Sequence, residues 1–460
     1  MPLATSFRRG ALCIGAALGW SATPSFATSG IDPRAAGQVF EEAHAICARD
    51  QGALWGRSLC GPILLVDPTD RSAIGNQADR QGALRPAGGV FAGTFAAPAS
   101  VSNTPTQWSG VRWTQLVWPL HHVSDFLPPL QPTRWTRLMG HEPSHAAKLR
   151  VTLAHELFHR IQPDLHLTRA EAGNRHLDTL EGRYLLQLEW RALAEALASR
   201  TQAARRRAVE DALLFRGQRY RLFPDAAAEE GELETNEGVP EYTGVKLGLA
   251  TAQEQNRYAI YDLCAFVNAP TFVRSFAYAT GPAYGLLLDH ADPKWRDKLQ
   301  TGRRLDELLR AASQLRAPRF AELSAREAAY EGATLRAHEV ARETARQQRI
   351  AALRATLVEG PVLTMPLKNA SYQFNPQTLQ ALDGIGTVYP TMRVAAEWGI
   401  LEVDSGGALL DKGMTRVAVS AVGIDLTTAK GSGWRLTLKP GWAIEPGVRK
   451  GDFELRRLGN

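Results

Sequence analysis

The stretch Val151–Ile161, with the sequence VTLAHELFHRI, decides how the rest of this chain is interpreted. Its apolar residues surround two histidines that stand four positions apart, which indicates a buried helix able to hold its polar side chains rigidly. Residues at positions i and i+4 project from the same face of an α-helix, so His155 and His159 present two imidazoles one turn apart. This arrangement suits Zn²⁺, and we predict that His155 and His159 bind one zinc ion per chain.

Glu156 directly follows the first of these histidines. Neighbouring helical residues are turned by about 100° from one another, so this side chain points beside the metal position rather than at it. A carboxylate placed there can take a proton from an attacking water and pass it to a leaving amine. We therefore predict that Glu156 is the general base of a hydrolytic site.

The same five-residue pattern occurs a second time, at His141–His145, where the sequence is HEPSH. Pro143 stands in its middle, and a proline inside a helix removes a hydrogen bond, clashes with the preceding turn and disfavours helical angles at Glu142. Proline is well tolerated at the first helical position. We predict that Pro143 begins the zinc helix and that the first motif is a coincidence.

HELFH within an apolar helix resembles the zincin metallopeptidases. The metzincin branch is excluded, because Gln162 and Leu165 stand where that branch has its glycine and third histidine. In the gluzincin branch the third ligand is a glutamate on a later helix, and residues 236–242 read NEGVPEY, which is similar to the ligand segment of aminopeptidase-like gluzincins. The resemblance implies that Glu237 is the third zinc ligand.

For three further residues the sequence leaves two possible roles open. Glu189, within LQLEWRAL, is a second candidate for the third ligand, unless it forms a buried ion pair with a neighbouring arginine. Gluzincins of the aminopeptidase type carry a tyrosine that stabilises the oxyanion, and the resemblance implies this role for Tyr278 or Tyr284. The alternative is that both tyrosines belong to the core.

Substrate contacts are predicted on both sides of the zinc helix. An aminopeptidase needs acidic side chains to bind the free amine of its substrate, and Glu234 and Glu241 are candidates for this role. The alternative for Glu241 is that it hydrogen-bonds to one of the zinc ligands without binding the ion itself. Residues 108–119 read as a strand before the zinc helix, and in zincins that strand is an edge to which an extended peptide adds. Trp113 then contacts substrate, unless the strand is internal and Trp113 packs into the core.

The order of patterns predicts an α+β chain in five parts. Residues 1–27 form a signal peptide, 28–142 the β-rich part of a zincin-like catalytic domain, and 143–302 its helical, zinc-binding part. A helical hairpin spans 303–358. A β-sandwich-like domain spans 359–460.

The N-terminus has the features of a cleaved secretory signal. Arg8 and Arg9 precede the apolar stretch Ala11–Trp20, which is too short to span a bilayer, and small residues at Ser25 and Ala27 fit cleavage by signal peptidase. No later segment is long and apolar enough to be transmembrane. We predict export to the periplasm or the medium.

Three cysteines follow that signal in the chain. In an oxidising compartment Cys47 and Cys60 are near enough in sequence to close one loop, which leaves Cys264 free. The alternative is three buried thiols.

Composition limits the classes of function. The chain has 460 residues, of which 44% are hydrophobic and 22% charged, which excludes collagen, coiled-coil and disordered classes. A formal charge of +6 that is not gathered in one patch gives no reason to predict nucleic-acid binding.

We predict a zinc metallopeptidase acting on peptides or proteins, as an endopeptidase or an aminopeptidase. The alternative is a catalytically silent zincin-fold envelope protein that acts as a binding scaffold, against which the intact Glu156 argues.

Overall fold

The structure is a computed structural model. It describes residues 30–96, 101–169, 173–317, 319–368, 370–374, 379–382 and 384–458. The predicted signal peptide, residues 1–27, lies outside the described residues. The described chain forms two compact units, which divide between Glu343 and Thr344. Both helices and several sheets are present, so the predicted α+β class is confirmed.

The described residues contain thirteen α-helices, most of them in the first unit. They are α1 (Pro33–Asp50), α2 (Thr136–Met139), α3 (His145–Ile161), α4 (Leu180–Ala198), α5 (Gln202–Leu222), α6 (Ala226–Leu233), α7 (Val239–Gly248), α8 (Ala252–Ala265), α9 (Phe276–Ala291), α10 (Trp295–Leu299), α11 (Leu305–Ala312), α12 (Leu323–Ala329) and α13 (Gly332–Arg354). None of them combines the length and the apolar composition that a bilayer span needs.

Eighteen strands are described, and the first six belong to the first unit. They are β1 (Ile63–Val66), β2 (Ser72–Gly75), β3 (Leu84–Ala87), β4 (Val90–Thr94), β5 (Thr104–Trp108), β6 (Val111–Val117), β7 (Val362–Pro366), β8 (Ser371–Phe374), β9 (Gln380–Leu382), β10 (Gly386–Tyr389), β11 (Met392–Ala396), β12 (Gly399–Val403), β13 (Ala408–Asp411), β14 (Arg416–Ser420), β15 (Lys430–Gly431), β16 (Trp434–Leu438), β17 (Trp442–Pro446) and β18 (Phe453–Arg457).

The sheet of the first unit has the strand order β3-β4-β2-β1-β6-β5. Only β1 and β6 pair in parallel, and all other pairs are antiparallel. The prediction that residues 108–119 form an edge strand is wrong, because β5 and β6 make a hairpin and β5 takes the outer position. Ser109 and Gly110 both have positive φ angles in the two-residue turn, as tight hairpins require.

Helix α3 packs against this sheet on one side and against α7 on the other. It begins at His145, two residues after the predicted start, because the Ser144 hydroxyl accepts a hydrogen bond from the backbone N–H of Ala147 and caps the helix. Its residues from Val151 to Phe158 are all buried. Pro163 ends the α-helix, which continues only as a short 3₁₀ turn over Gln162–Leu165.

The segment that contains Glu237 is one continuous helical run, in which a π-helical turn, Glu234–Gly238, joins α6 to α7. Glycines let this run approach its neighbours closely. A Cβ atom on Gly244 would lie 2.5 Å from the Val151 carbonyl oxygen of α3, and one on Gly281 of α9 would lie 2.1 Å from the Gly238 carbonyl oxygen. Both contacts require glycine.

Cys47 and Cys60 form a disulfide, with their Cα atoms 5.2 Å apart, and Cys264 is a buried free thiol. The alternative of three buried thiols is therefore wrong. The bond ties the end of α1 to the segment that enters β1. Cross-linking close to the first strand restricts the unfolded chain and favours the folded unit.

The second unit consists mainly of two sheets, with the orders β17-β18-β7-β14-β13-β10-β9 and β15-β16-β12-β11-β8. Inward-facing residues of both sheets, among them Leu363, Val394 and Leu401, belong to a single hydrophobic cluster. This is the arrangement of a β-sandwich. The helical segment predicted at 303–358 does not form one hairpin, because α11, α12 and residues 332–343 of α13 belong to the first unit and the rest of α13 belongs to the second.

Candidate metal and catalytic site

Three side chains from two helical segments converge beside α3. The Nε2 atoms of His155 and His159 are 3.0 Å apart, and each lies 3.7 Å from Oε2 of Glu237. Ligand atoms held tetrahedrally at about 2.0–2.1 Å from zinc are separated by roughly 3.3–3.4 Å. The observed separations bracket this value, so the three side chains fit a zinc ion. Among the described residues, the other group of this kind is His44 with Cys47 and Cys60, whose sulfurs are used by the disulfide.

The opposite nitrogen of each imidazole has its own acceptor. Nδ1 of His155 donates to Oε2 of Glu241 at 2.6 Å, and Nδ1 of His159 donates to Oε1 of Gln162 at 2.8 Å. These acceptors favour a proton on Nδ1 of each ring, which is the tautomer that would let both Nε2 atoms present lone pairs to an ion between them. Such partners fix the tautomer and ring orientation of metal-binding histidines and raise their basicity.

Gln162 is itself oriented by the π-helical turn. Its Nε2 donates to the carbonyl oxygens of Leu167 at 3.1 Å and Thr235 at 3.0 Å, so its oxygen must face His159. Pro240 follows this π-helical turn and has no N–H, so it cannot donate a backbone hydrogen bond to a carbonyl oxygen of the turn. The side-chain amide of Gln162 donates to the turn instead, which explains how a proline can stand next to the candidate ligand segment.

Glu237 is also bound by a tyrosine that packs on the first histidine. The Tyr278 hydroxyl donates to Oε2 of Glu237 at 2.8 Å, and the Tyr278 ring stacks on the ring of His155, with centroids 5.6 Å apart. Burial alone would raise the pKa of Glu237, but His155 and His159 lower it well below its usual range. Burial raises the pKa of Tyr278 well above its ordinary value. The pair therefore consists of a carboxylate and a neutral hydroxyl donor.

Glu156 is buried on the neighbouring face of α3, and burial raises its pKa even though His155 and His159 oppose this shift. Its carboxylate interacts with the side chain of Asn103, whose Oδ1 accepts from the backbone N–H of Val117 at 2.8 Å. Glu156 thus lies between the imidazole pair and the start of the outer strand β5. A carboxylate with a raised pKa is a better proton acceptor near neutral pH.

Glu241 lies at the site, but it contacts histidines rather than a position open to substrate. Its side chain is 2% exposed, and its second oxygen accepts from Nε2 of His122 at 3.1 Å. Because this carboxylate is buried and each of its oxygens faces an imidazole, it is not open to a substrate amine. Glu241 instead supports His155 from behind, which was the alternative prediction.

The structure does not bring Glu189, Tyr284 or Glu234 to the imidazole pair. Both oxygens of Glu189 are bound by Arg216 and Arg219, at 2.8 and 2.7 Å, and the Tyr284 hydroxyl also donates to Glu189. Arg216 holds Glu234 with both terminal nitrogens. These side chains form a buried ion cluster, so the roles of ligand, oxyanion donor and amine site are wrong for them.

Trp113 is also placed away from the site. Its side chain is fully buried with Leu64, Val66 and Phe95 in a separate hydrophobic cluster of the sheet. Alternation along β6 explains this, because Leu116 faces the helical core while Trp113 points to the opposite face. The predicted substrate contact is wrong, and the core alternative holds.

Within the described part of the chain, the HEPSH segment belongs to no group of side chains that could hold a metal ion. His141 and His145 are exposed, and Glu142 accepts from Nζ of Lys148 at 3.3 Å. Residues 141–144 are not helical, so the two histidines do not share a helix face.

Sequence analysis missed two residues of the site, Gln162 and His122. Gln162 stands three positions after His159, a spacing that places the two side chains on one face, and this signal was available. His122 caps a 3₁₀ turn at Val123–Phe126, but its contact with Glu241 spans 119 positions. Nothing local in the sequence indicates that contact.

No family model matches this chain, and neither a curated protein nor a solved structure shows significant similarity to it. The function proposed below is inferred from the residues of the site.

Proposed function

We propose that the protein is a zinc-dependent metallopeptidase with a gluzincin-type site in a zincin-like catalytic unit. His155, His159 and Glu237 hold the ion in this proposal. The observation that carries it is the convergence of these three ligand atoms at 3.0–3.7 Å, with Glu156 buried beside them. The acceptors behind both imidazoles support the same conclusion, because a metal site needs oriented, neutral histidines.

When bound, zinc polarises the scissile carbonyl and acidifies water. Glu156 takes the proton of the attacking water and returns it to the leaving amine. Burial raises the pKa of Glu156 above its usual range, which makes its carboxylate a stronger base for the first step. Tyr278 holds a proton on its hydroxyl within reach of Glu237, and we assign to it the hydrogen bond to the developing oxyanion.

Strand β5 supports a peptide as the substrate. It is the outer strand of its sheet among the described residues, and Asn103 at its start interacts with Glu156. An extended peptide that pairs with such an edge passes directly beside the general base. We therefore propose that β5, rather than residues 108–119, is the edge to which an extended peptide substrate adds.

An exported enzyme is consistent with the Cys47–Cys60 disulfide. Disulfides persist in oxidising compartments and are rare in the cytosol. The predicted signal at residues 1–27 points to the same location, periplasmic or secreted.

The test compares matched substitutions in the two HExxH segments. Purified wild-type protein, Glu156→Gln and Glu142→Gln are assayed for bound zinc and for cleavage of fluorescently labelled, unfolded casein. We expect all three to bind about one zinc, as a single site requires. Cleavage should fall by about 10²–10⁴-fold in Glu156→Gln, the usual contribution of a general base, and stay unchanged in Glu142→Gln.

Two results would contradict the proposal. Wild-type protein that holds no zinc removes the metal site. Protein that holds zinc but cleaves neither casein nor a mixed library of free peptides supports the alternative, a binding scaffold without catalysis.

A further inference from the structure

We propose that His122 is a positioning residue of the metal centre, which acts on the ligand His155 through Glu241. The inference rests on the proposed zinc site and extends it to a residue 33 positions before the HELFH motif. His122 touches neither His155 nor the ion position. It determines how firmly the carboxylate behind His155 is held.

The contacts form a continuous chain of side chains. Nδ1 of His155 is 2.6 Å from Oε2 of Glu241, and Oε1 of the same carboxylate is 3.1 Å from Nε2 of His122. Nδ1 of His122 lies 2.7 Å from the Ser124 hydroxyl, which is 3.1 Å from the hydroxyl of Tyr261. All five side chains belong to buried residues.

The protons of this chain have one consistent arrangement. The backbone N–H of Ser124 donates to Nδ1 of His122 at 3.2 Å, so Nδ1 is an acceptor and the proton of the neutral ring lies on Nε2. Nε2 then donates to Glu241, which also accepts from His155. Each carboxylate oxygen has one imidazole donor, and the carboxylate cannot rotate without losing both.

Burial makes this arrangement costly to break. Glu241 is 2% exposed, so water cannot replace a lost donor at its second oxygen. An unpaired oxygen on a buried carboxylate favours rotation of the group toward another donor. That rotation would weaken the 2.6 Å bond to His155, which sets the orientation and basicity of the ring.

His122 also has a local structural role, from which the proposed one must be separated. Its side chain caps the turn Val123–Phe126, and its backbone N–H donates to Asp125 at 3.1 Å. A substitution that only disturbs this turn lowers stability without a specific effect on zinc. The test therefore measures zinc affinity of folded protein.

The experiment measures the zinc dissociation constant by competition with a chelating dye, for wild type, His122→Ala, His122→Gln and His121→Ala. Circular dichroism confirms that each variant is folded at the assay temperature. Outer-shell partners of metal ligands contribute about 10–100-fold in affinity, and we expect about a 10-fold loss in His122→Ala. His122→Gln keeps an N–H donor at the Nε2 position and should recover most of that loss, while His121→Ala should match wild type.

A double-mutant cycle tests whether the effect passes through Glu241. If it does, His122→Ala changes zinc affinity in the wild-type background but adds nothing in a Glu241→Ala background. A merely structural role predicts that the two losses add.

The outcomes separate this inference from the function on which it rests. If wild-type protein binds no zinc, the proposed function fails. If wild type binds zinc and His122→Ala binds it equally well, or if the losses add in the cycle, the role of His122 is overturned while the metal site stands.

Discussion

Two segments of this protein spell HExxH, fourteen residues apart, and they have opposite environments. In HELFH, the glutamate and the first histidine are buried, and the two histidine Nε2 atoms lie 3.0 Å apart. In HEPSH, both histidines are exposed and the glutamate pairs with Lys148. HELFH lies in the C-terminal part of helix α3, whereas HEPSH leads into the start of that same helix.

The difference separates three conditions, beyond the motif itself, that the proposed metal site needs. The histidines must share a helix, a third ligand must reach them, and an acceptor must orient each ring. HELFH meets all three, through α3, Glu237, and the pair Glu241 and Gln162. HEPSH meets none of them among the described residues.

The largest effect should come from removing one histidine from each motif. His155→Ala deletes a ligand, so zinc affinity should fall by more than about 100-fold, beyond the range of outer-shell substitutions. His145→Ala deletes an exposed ring and should leave zinc affinity unchanged. Dye competition measures both. Equal zinc binding by the two variants would remove the distinction between the motifs.

A smaller effect on zinc affinity is expected from substituting Gln162, the acceptor for Nδ1 of His159. Gln162→Leu frees Nδ1 of His159 and leaves the carbonyl of Thr235 without its donor, so zinc affinity should fall by about 10-fold. Gln187→Leu is the matched control, because it removes another buried glutamine, which is bonded to Glu339. If both substitutions change zinc affinity alike, Gln162 has no specific role at the site.

The smallest effect concerns the end of HEPSH, where Ser144 caps α3. Ser144→Ala should lower the free energy of unfolding by about 1 kcal/mol, and Ser144→Asn, which keeps a capping group, should lower it much less. Urea denaturation measures both changes, with zinc content held equal. A change in zinc stoichiometry in Ser144→Ala, with the protein still folded, would mean that this segment contributes to metal binding.

Local patterns were sufficient for the zinc helix and its neighbours. The spacing of His155 and His159, the helix-ending Pro163 and the return of β-prone runs after residue 359 were all legible, because each depends on residues close in sequence. Glu237 could be proposed only through the resemblance of its NEG segment. The structure brings it within 3.7 Å of both imidazoles, across 78 positions of chain from His159.

Residues whose position depends on tertiary packing were not predictable. Trp113 points away from the helical core because of the alternation along β6, and the strand's own sequence does not show which of its faces packs on the helices. Glu189 and Tyr284 are drawn into the cluster around Arg216, which forms between separate helices. A buried glutamate in an apolar helix looks the same in sequence whether its partner is a metal or a guanidinium.

The central claim is that HELFH and Glu237 together form a zinc site. Elemental analysis after dialysis of purified wild-type protein and of Glu237→Ala tests it most directly. We predict about one zinc per chain in wild type, as a site with three protein ligands requires, and a large loss in Glu237→Ala. Wild-type protein without zinc, or full zinc retention in Glu237→Ala, would contradict the claim.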